Sequence, residues 1–237
     1  MAQAIIFNGV SRLSATLALI LYIMLCISCG EKNKQDNEQP AKKQQTAAAS
    51  AKENTILFFG NSLTAGYGLA DISESFPSLI QDKIDSLHLP YTVINGGVSG
   101  ETSAGGNSRI DWLLKEKINV FVLELGANDG LRGISTKETT KNLQSIIDKV
   151  RTKYPEVKLV LLGMQVPSNL GKSYTTQFKE IYPALATKNN MALVPFLLEG
   201  VGGVDSLNQR DGIHPTAAGD KIVAENVWKV LKNVLNE

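Results

Sequence analysis

Five short runs of Val, Leu, Ile and Phe alternate with amphipathic segments between residues 55 and 235, and this alternation limits the possible folds more than any other feature. Near-continuous apolar runs are typical of parallel strands covered on both faces of a sheet. The segments between them repeat apolar residues with a helical period. The sequence therefore predicts an α/β fold with a doubly wound parallel sheet and helices on both faces. The predicted strands are 55–59, 91–95, 119–125, 157–163 and 192–196, and the predicted helices are 74–87, 108–117, 136–153, 174–189 and 216–235.

The N-terminal segment is predicted to be an export signal. An apolar block follows Arg12, and it is shorter than the roughly 20 residues that a membrane-spanning helix needs. Its end, Ile-Ser-Cys-Gly at 27–30, resembles a bacterial lipoprotein cleavage box in which Cys29 becomes the lipidated residue. We therefore expect residues 1–28 to be a lipoprotein signal peptide. The protein would be exported and lipid-anchored to a bacterial membrane, facing the periplasm or the cell surface; an uncleaved anchor or a plain signal peptide is the alternative.

Composition separates a polar linker from one globular domain. Residues 29–54 are mostly Lys, Gln, Asn, Glu and Ala, which cannot bury enough apolar surface to fold, and they are predicted to form a flexible tether. Residues 55–237 then form a single domain, for which we expect a monomer. The chain has 24 basic and 23 acidic residues, a net charge of +1, so nothing in its charge indicates a nucleic-acid partner.

Four loops that follow predicted strands contain residues with catalytic chemistry. They cover 60–63, 96–102, 126–129 and 211–214. In an open α/β sheet the ligand binds at the carboxyl ends of the strands, so we expect these loops to meet at one edge. The four loops are therefore predicted to form a single site.

Ser62 is the candidate nucleophile of this site. A serine hydroxyl needs a base to take its proton, and the base is usually a histidine oriented by a carboxylate. Of the two histidines in the chain, His88 ends a predicted helix and is interpreted as a surface residue, whereas His214 lies in a loop three residues after Asp211. Because both cysteines lie in the N-terminal segment, a cysteine nucleophile is excluded for the domain. We predict Ser62, His214 and Asp211 as nucleophile, base and orienting carboxylate.

Fixed hydrogen-bond donors are also needed, because negative charge develops on an attacked carbonyl oxygen. Gly100 can bring a backbone N–H group close to a ligand because it lacks a side chain. Asn128 offers a side-chain amide, and Ser62 offers its own backbone N–H group. These three residues are predicted to form the oxyanion hole.

Other motifs are missing from the sequence. The segment around Ser62 is not G-x-S-x-G, so the usual nucleophile elbow of α/β-hydrolases is excluded. There is no G-x-x-x-x-G-K-[ST] phosphate-binding loop, and Gly66-Tyr67-Gly68 lacks the third glycine of a dinucleotide fingerprint. Metal-ligating histidines are too few for a metal site. We expect neither a metal nor a cofactor.

Taken together, the four loops resemble those of the SGNH (GDSL) hydrolase superfamily, most closely its thioesterase I, arylesterase and lysophospholipase subgroup. The strings are Gly-Asn-Ser-Leu-Thr-Ala-Gly-Tyr at 60–67, Ser-Gly-Glu-Thr at 99–102, Glu-Leu-Gly-Ala-Asn-Asp-Gly-Leu-Arg-Gly at 124–133 and Asp-Gly-Ile-His-Pro at 211–215. The resemblance covers residues 55–235. It implies a three-layer flavodoxin-like fold with about five strands, and it supports the roles given to Ser62, Gly100, Asn128, Asp211 and His214. One residue departs from the family pattern: Asn61 stands where Asp is usual, and we expect it to orient the nucleophile loop.

The expected reaction is hydrolysis of acyl esters or thioesters through an acyl-enzyme. Met164, Val166 and Pro167 follow the fourth strand and, together with Asn61, are predicted to contact the substrate, an apolar acyl ester. Two alternatives remain open at this point. One is a carbohydrate O-acetylesterase with the same triad, and the other is a tethered binding lipoprotein without turnover.

Overall fold

The computed structural model describes residues 54–236. The predicted signal peptide, Cys29 and all but the last residue of the predicted tether lie outside the described residues. Within the described range, no helix combines the length and the apolar character needed to cross a membrane.

A five-stranded sheet forms the centre of the domain. The strands are β1 Asn54–Gly60, β2 Tyr91–Asn95, β3 Val120–Glu124, β4 Lys158–Leu162 and β5 Ala192–Val194. All four strand pairs are parallel, and the order across the sheet is β2-β1-β3-β4-β5. This is the flavodoxin-like order of a doubly wound sheet, so the predicted fold class is confirmed.

Helices cover both faces of this sheet. The helices are α1 Ser62–Ala65, α2 Phe76–Ser86, α3 Ser103–Leu113, α4 Ala127–Leu131, α5 Thr136–Lys153, α6 Lys172–Lys188 and α7 Ala217–Asn236. Helix α2 packs against α7 in one layer, whereas α3 packs against α5 and α5 packs against α6 in the other. The two groups lie on opposite faces because the chain leaves β1 in one direction for β2 and then crosses back for β3, and such crossovers are right-handed.

Strands β1 and β3 are buried along most of their length, and both lead to the candidate site. Every residue of β3, and β1 from Ile56 onward, is buried between the helical layers. Strand β1 pairs with β2 on one side and with β3 on the other. The crossovers change direction between β1 and β3, and ligands bind at the carboxyl ends of strands next to such a switch point. The chain that leaves β1 reaches Ser62, and the chain that leaves β3 reaches Asn128.

Both ends of α3 were predicted wrongly. The pattern indicated a helix over 108–117, but the helix spans Ser103–Leu113. Thr102 caps it, since the Thr102 side chain accepts a hydrogen bond from the backbone N–H of Gly105. The first turn contains only small residues and shows no apolar period, so the pattern could not reveal it.

All other predicted strands and long helices agree with the structure to within two residues at each end. Strand β5 ends at Val194, two residues before its predicted end, because the next residue is Pro195, which has no N–H group for a sheet hydrogen bond. Helices α1 and α4 were not predicted. Each is only one turn long and follows β1 or β3 almost directly.

Candidate active site

Ser62 is the first residue of helix α1, immediately beyond the end of β1. Asn61 caps this helix, and its Oδ1 accepts a hydrogen bond from the backbone N–H of Leu63 at 3.1 Å. Gly66 ends the helix with a φ of +71°, a conformation that glycine adopts without strain. The strand, the cap and the tight helix therefore hold Ser62 at the carboxyl edge of the sheet.

The structure brings His214 and Asp211 to the same edge. Nε2 of His214 lies 2.8 Å from Oγ of Ser62, and Nδ1 of His214 lies 2.6 Å from Oδ2 of Asp211. The other oxygen of Asp211 accepts from the backbone N–H groups of Ile213 and His214 at 3.0 and 3.1 Å. The loop that follows Asp211 thus curls around its carboxylate and aims the imidazole at Ser62.

The carboxyl group of Asp211 favours its ionised form. Partial burial alone would raise its pKa, but hydrogen bonds from the His214 ring and from two backbone N–H groups outweigh burial, so the pKa lies below its usual value. An ionised Asp211 accepts the proton on Nδ1 of His214. Nε2 then has a free lone pair for the Ser62 hydroxyl, which is the arrangement a general base requires.

Gly100 and Asn128 line the same cavity as Ser62. Gly100 has a φ of +78°, and its carbonyl oxygen accepts from Nη2 of Arg132 at 3.0 Å. Nδ2 of Asn128 donates to the carbonyl oxygen of Glu101 at 2.9 Å. Because that nitrogen carries two hydrogens, one stays available for a ligand. These bonds tie the Gly100 loop to helix α4.

A cavity of about 740 Å³ opens in front of Ser62. Its size fits a small-molecule site, which is typically a largely apolar cleft of this order. The predicted substrate contacts Met164, Val166 and Pro167 lie in its wall, and so do Leu131 and Leu198. The cavity therefore offers apolar surface to a ligand that lies in front of Ser62.

Asn61 also borders the cavity, but its side chain bonds within the protein. It is 1% exposed, Nδ2 donates to Oε1 of Glu124 at 2.8 Å, and Oδ1 accepts from Leu63. Both ends of the amide thus bond within the protein. These contacts fit the orienting role expected of Asn61 in the nucleophile loop, and its contact with substrate stays a prediction.

Glu124 was missed by the sequence interpretation. It ends β3 and is fully buried, and it accepts hydrogen bonds from Asn61 and Thr64. Burial raises its pKa to about 7, although the hydrogen bonds oppose the shift. A signal was present, since a charged residue in the otherwise apolar run from Val120 to Leu125 demands a polar partner.

Gln209 and Tyr67 were missed as well. Nε2 of Gln209 donates to the carbonyl oxygens of Tyr67 and Pro215, and the Tyr67 ring lies 4.7 Å from the His214 ring. No local pattern indicates these contacts, because Tyr67 lies far along the chain from both Gln209 and His214. His88, as predicted, is an exposed residue after α2.

No group of three or more His, Cys, Asp or Glu side chains within residues 54–236 is arranged to hold a metal ion.

Comparison with known proteins found a matching family and several similar proteins. Residues 58–222 match the model of the GDSL-like lipase/acylhydrolase family. Esterase TesA of Pseudomonas aeruginosa is 44% identical over 193 residues, which cover 81% of this chain and 92% of that protein. Thioesterase 1/protease 1/lysophospholipase L1 of Escherichia coli is 36% identical over 187 residues, which cover 78% of this chain and 87% of that protein.

A solved structure agrees with these matches. The psychrotrophic esterase EstA from Pseudoalteromonas sp., in a structure inhibited by monoethylphosphonate, superimposes with a TM-score of 0.73. Its sequence identity is 32%, and the match covers 78% of this chain and all of the other.

Proposed function

The chain belongs to the GDSL-like lipase/acylhydrolase family and is an ester hydrolase, and from that premise we propose that it cleaves carboxylic acyl esters through a covalent intermediate on Ser62. One observation carries this mechanism. Hydrogen-bonding distances of 2.8 and 2.6 Å connect Ser62 to His214 and His214 to Asp211 without a break. This chain of contacts is what a weak hydroxyl nucleophile needs.

The reaction then runs in two steps. In the first, Oγ of Ser62 attacks the acyl carbon while Nε2 of His214 takes the hydroxyl proton. The same imidazolium then protonates the leaving alcohol or thiol, and the carbon–oxygen or carbon–sulfur bond breaks. In the second, water attacks the acyl-enzyme with His214 again as base, which releases the acid and restores Ser62.

Three donors are proposed to stabilise the negative oxygen that forms in both steps. They are the backbone N–H groups of Ser62 and Gly100 and the free amide hydrogen of Asn128. Their fixed positions support this role, because Arg132 and Asn128 donate hydrogen bonds to the carbonyl oxygens of Gly100 and Glu101. Donors fixed before the reaction stabilise developing charge without a cost in reorganisation.

The proposed substrates carry an apolar acyl group. The wall formed by Met164, Val166 and Leu198 supports this choice, since it offers apolar surface to a chain longer than acetyl. Relatives named esterase, thioesterase and lysophospholipase L1 leave the oxygen or sulfur leaving group open. Both ester and thioester substrates are therefore part of the proposal.

The proposed location is a bacterial membrane surface, with Cys29 as the lipidated residue and the enzyme acting as a monomer. The sequence at 27–30 supports the anchor, and the polar composition of residues 30–54 fits a connection between an anchor and the domain. The tether joins the domain at the amino end of β1, whereas the site lies at the carboxyl ends of the strands. Loss of labelling by a palmitate analogue in Cys29→Ser would support the anchor, and unchanged labelling would contradict it.

The test of the reaction is a series of 4-nitrophenyl esters of increasing acyl length, run beside an acyl-CoA, a lysophospholipid and an acetylated glycan. We expect turnover of the acyl esters, and loss of about 10³-fold or more in kcat for Ser62→Ala. A fluorophosphonate should add covalently at Ser62. Unchanged kcat in Ser62→Ala would overturn the mechanism, and release of acetate alone would indicate a carbohydrate O-acetylesterase.

A further inference from the structure

A buried carboxylate lies directly beneath the nucleophile loop. Glu124 ends β3, and in the sheet it is the register partner of Gly60, two residues before Ser62. Its side chain is fully buried. The proton transfers proposed above do not use Glu124, yet burying a carboxyl group is costly unless its oxygens are hydrogen-bonded.

Four donors satisfy this carboxylate, and all of them come from the nucleophile loop. Asn61 donates from its backbone N–H at 3.0 Å and from Nδ2 at 2.8 Å. Thr64 donates from its hydroxyl at 2.9 Å and from its backbone N–H at 3.4 Å. Both residues that flank the Ser62-Leu63 pair are thus fixed to one side chain of the neighbouring strand.

Glu124 also decides which way the Asn61 amide points. An ionised carboxylate only accepts hydrogen bonds, so it selects the NH₂ end of the amide. The carbonyl end, Oδ1, then faces the backbone N–H of Leu63 at 3.1 Å. A flipped amide would place an N–H group against that donor and an oxygen against the carboxylate, so both contacts would be repulsive.

The same amide orientation affects the nucleophile. Oγ of Ser62 lies 3.4 Å from Oδ1 of Asn61 but 2.8 Å from Nε2 of His214. The more distant amide oxygen competes weakly for the hydroxyl hydrogen, since O–H···O hydrogen bonds are normally about 2.5–3.0 Å long. The hydroxyl is left to donate to the base.

We propose that Glu124 is a positioning residue for the nucleophile, which acts through the Asn61 amide to orient the loop and to direct the Ser62 hydroxyl to His214. This inference rests on the proposed function, because it assigns Ser62 as the attacking group. Glu124 touches no reacting atom. Its effect is expected in kcat rather than in KM, because it sets the geometry of attack and not the apolar wall of the cavity.

Other ionisable groups pack around this pair. The Tyr182 hydroxyl, from α6, donates to the carbonyl oxygen of Leu125. Burial, with smaller effects from Glu124 and Asp129, keeps the pKa of Tyr182 well above its usual value. Asp129, from α4, is buried and bonds to Ser103. From α3, Arg109 donates to the carbonyl oxygen of Gly60. These neighbours are the same in every variant at positions 61 and 124, so a difference between the pH profiles of two variants is caused by the substituted pair.

The central test exchanges the amide and the carboxylate between positions 61 and 124. In Glu124→Gln, an amide faces an amide, so one donor must meet another donor, and we expect kcat to fall about 10- to 100-fold with KM nearly unchanged. In the double variant Asn61→Asp/Glu124→Gln, the new carboxylate at 61 accepts from the new amide at 124 and from Leu63. The double variant should regain about tenfold in kcat over Glu124→Gln.

Asn61→Asp alone provides a second, independent measurement. Its two carboxyl groups would stand about as far apart as the present 2.8 Å bond, so they must share one proton. We expect nearly native kcat at neutral pH, followed by a loss as pH rises and the shared proton leaves. The native pair also releases a proton, near pH 7, but the ionised Glu124 is the acceptor that the Asn61 amide needs. The native enzyme should therefore lack this loss as pH rises, and so should the double variant.

Asp220→Asn is the matched control, since it also converts a buried carboxyl group to an amide but lies outside the cavity. Circular dichroism at 25 °C would verify folding of every variant. Native kcat in folded Glu124→Gln, or no recovery in the double variant, would overturn the inference. If Glu124→Gln does not fold, an Asn61→Asp pH profile that superimposes on the native one would overturn it. Ser62→Ala in the same series separates this outcome from failure of the proposed function.

Discussion

Nε2 of Gln209 donates a hydrogen bond of 2.7 Å to the backbone carbonyl oxygen of Tyr67, which lies 142 positions earlier in the chain. The same nitrogen donates to the carbonyl oxygen of Pro215 at 2.9 Å. Tyr67 follows the helix of Ser62, and Pro215 follows His214. One side chain therefore joins the nucleophile loop to the histidine loop. Gln209 also packs so closely against Gly68 that a Cβ atom at position 68 would lie only 2.1 Å from Oε1 of Gln209.

Gln209→Leu should separate these two loops. The leucine fills similar space but cannot donate, so both carbonyl oxygens lose their partner and His214 loses part of its alignment with Ser62. We expect kcat to fall about tenfold, since small misplacements of catalytic groups have large effects on rate, while KM changes little. Steady-state kinetics with a 4-nitrophenyl ester would measure this. Gln177→Leu, an exposed glutamine on α6, is the control, and equal kcat in the two variants would contradict the prediction.

Asp211→Asn tests the orienting carboxylate. The amide keeps the shape of Asp211, but it carries no charge to hold the proton on Nδ1 of His214, so the imidazole can present the wrong tautomer to Ser62. Loss of the matching interaction costs about 10⁴-fold in a serine protease, and we expect about 10²–10⁴-fold here because Asp211 is partly exposed.

The pH profile provides a second measurement on Asp211. Its pKa is lowered by the His214 ring and by two N–H groups against the effect of burial, so its carboxylate stays ionised at pH values where an ordinary aspartate is protonated. The interaction is present above that lowered pKa and is lost only as pH falls through it. The pH profile of kcat/KM should therefore show no loss from Asp211 at pH values where an ordinary aspartate is protonated, and its shape should change in Asp211→Asn. An unaltered profile and native kcat in the variant would argue against this role.

The sequence predicts the sheet well because its strands are continuous apolar runs that need no tertiary information. It also points to His214, because the chain has only two histidines, and to Ser62, because this serine closely follows an apolar strand. It fails where the information lies in distant contacts. Glu124 is bonded to a loop 63 residues earlier, and Gln209 to one 142 residues earlier. Likewise, the need for glycine at position 106 of α3 is apparent only from its close contact with Leu125, which the fold brings next to it.

Two adjacent glycines in α3 should differ in their tolerance of substitution by alanine. A Cβ on Gly106 would lie 2.4 Å from Cδ1 of Leu125 and 3.1 Å from the Phe59 ring, so α3 would be pushed off the sheet. Overpacking of this kind costs about 1–3 kcal/mol. A Cβ on Gly105 meets only the Glu101 side chain, at 3.1 Å from Cγ, and alanine favours a helix.

Urea denaturation of both glycine variants measures this difference. We expect the free energy of unfolding to fall by about 1–3 kcal/mol for Gly106→Ala and to stay within about 0.5 kcal/mol of the native value for Gly105→Ala. Equal destabilisation would show that the first turn of α3, and not its contact with the sheet, sets the requirement for glycine.

Asp220 gives the domain a defined dependence of stability on pH. Its side chain is 3% exposed on α7. Burial, with a smaller effect from the charge of Glu74, raises its pKa from 3.8 to about 7. Between these two values the folded state binds a proton that the unfolded chain has released. Stability from this group is therefore complete below pH 3.8, falls as pH rises to about 7, and is then constant.

Asp220→Asn removes this ionisation and should match the native chain at pH 4 but exceed it at pH 8. Each unit of pKa shift corresponds to about 1.4 kcal/mol, and an amide in the same site keeps part of the desolvation cost, so we expect a gain on the order of 2 kcal/mol at pH 8. Thermal unfolding at pH 4, 6 and 8 would measure it, with a gain of several degrees in Tm at pH 8. Asp82→Asn, at an exposed site on α2, is the control. A difference between Asp220→Asn and the native chain that stays constant from pH 4 to pH 8 would exclude Asp220 as the source.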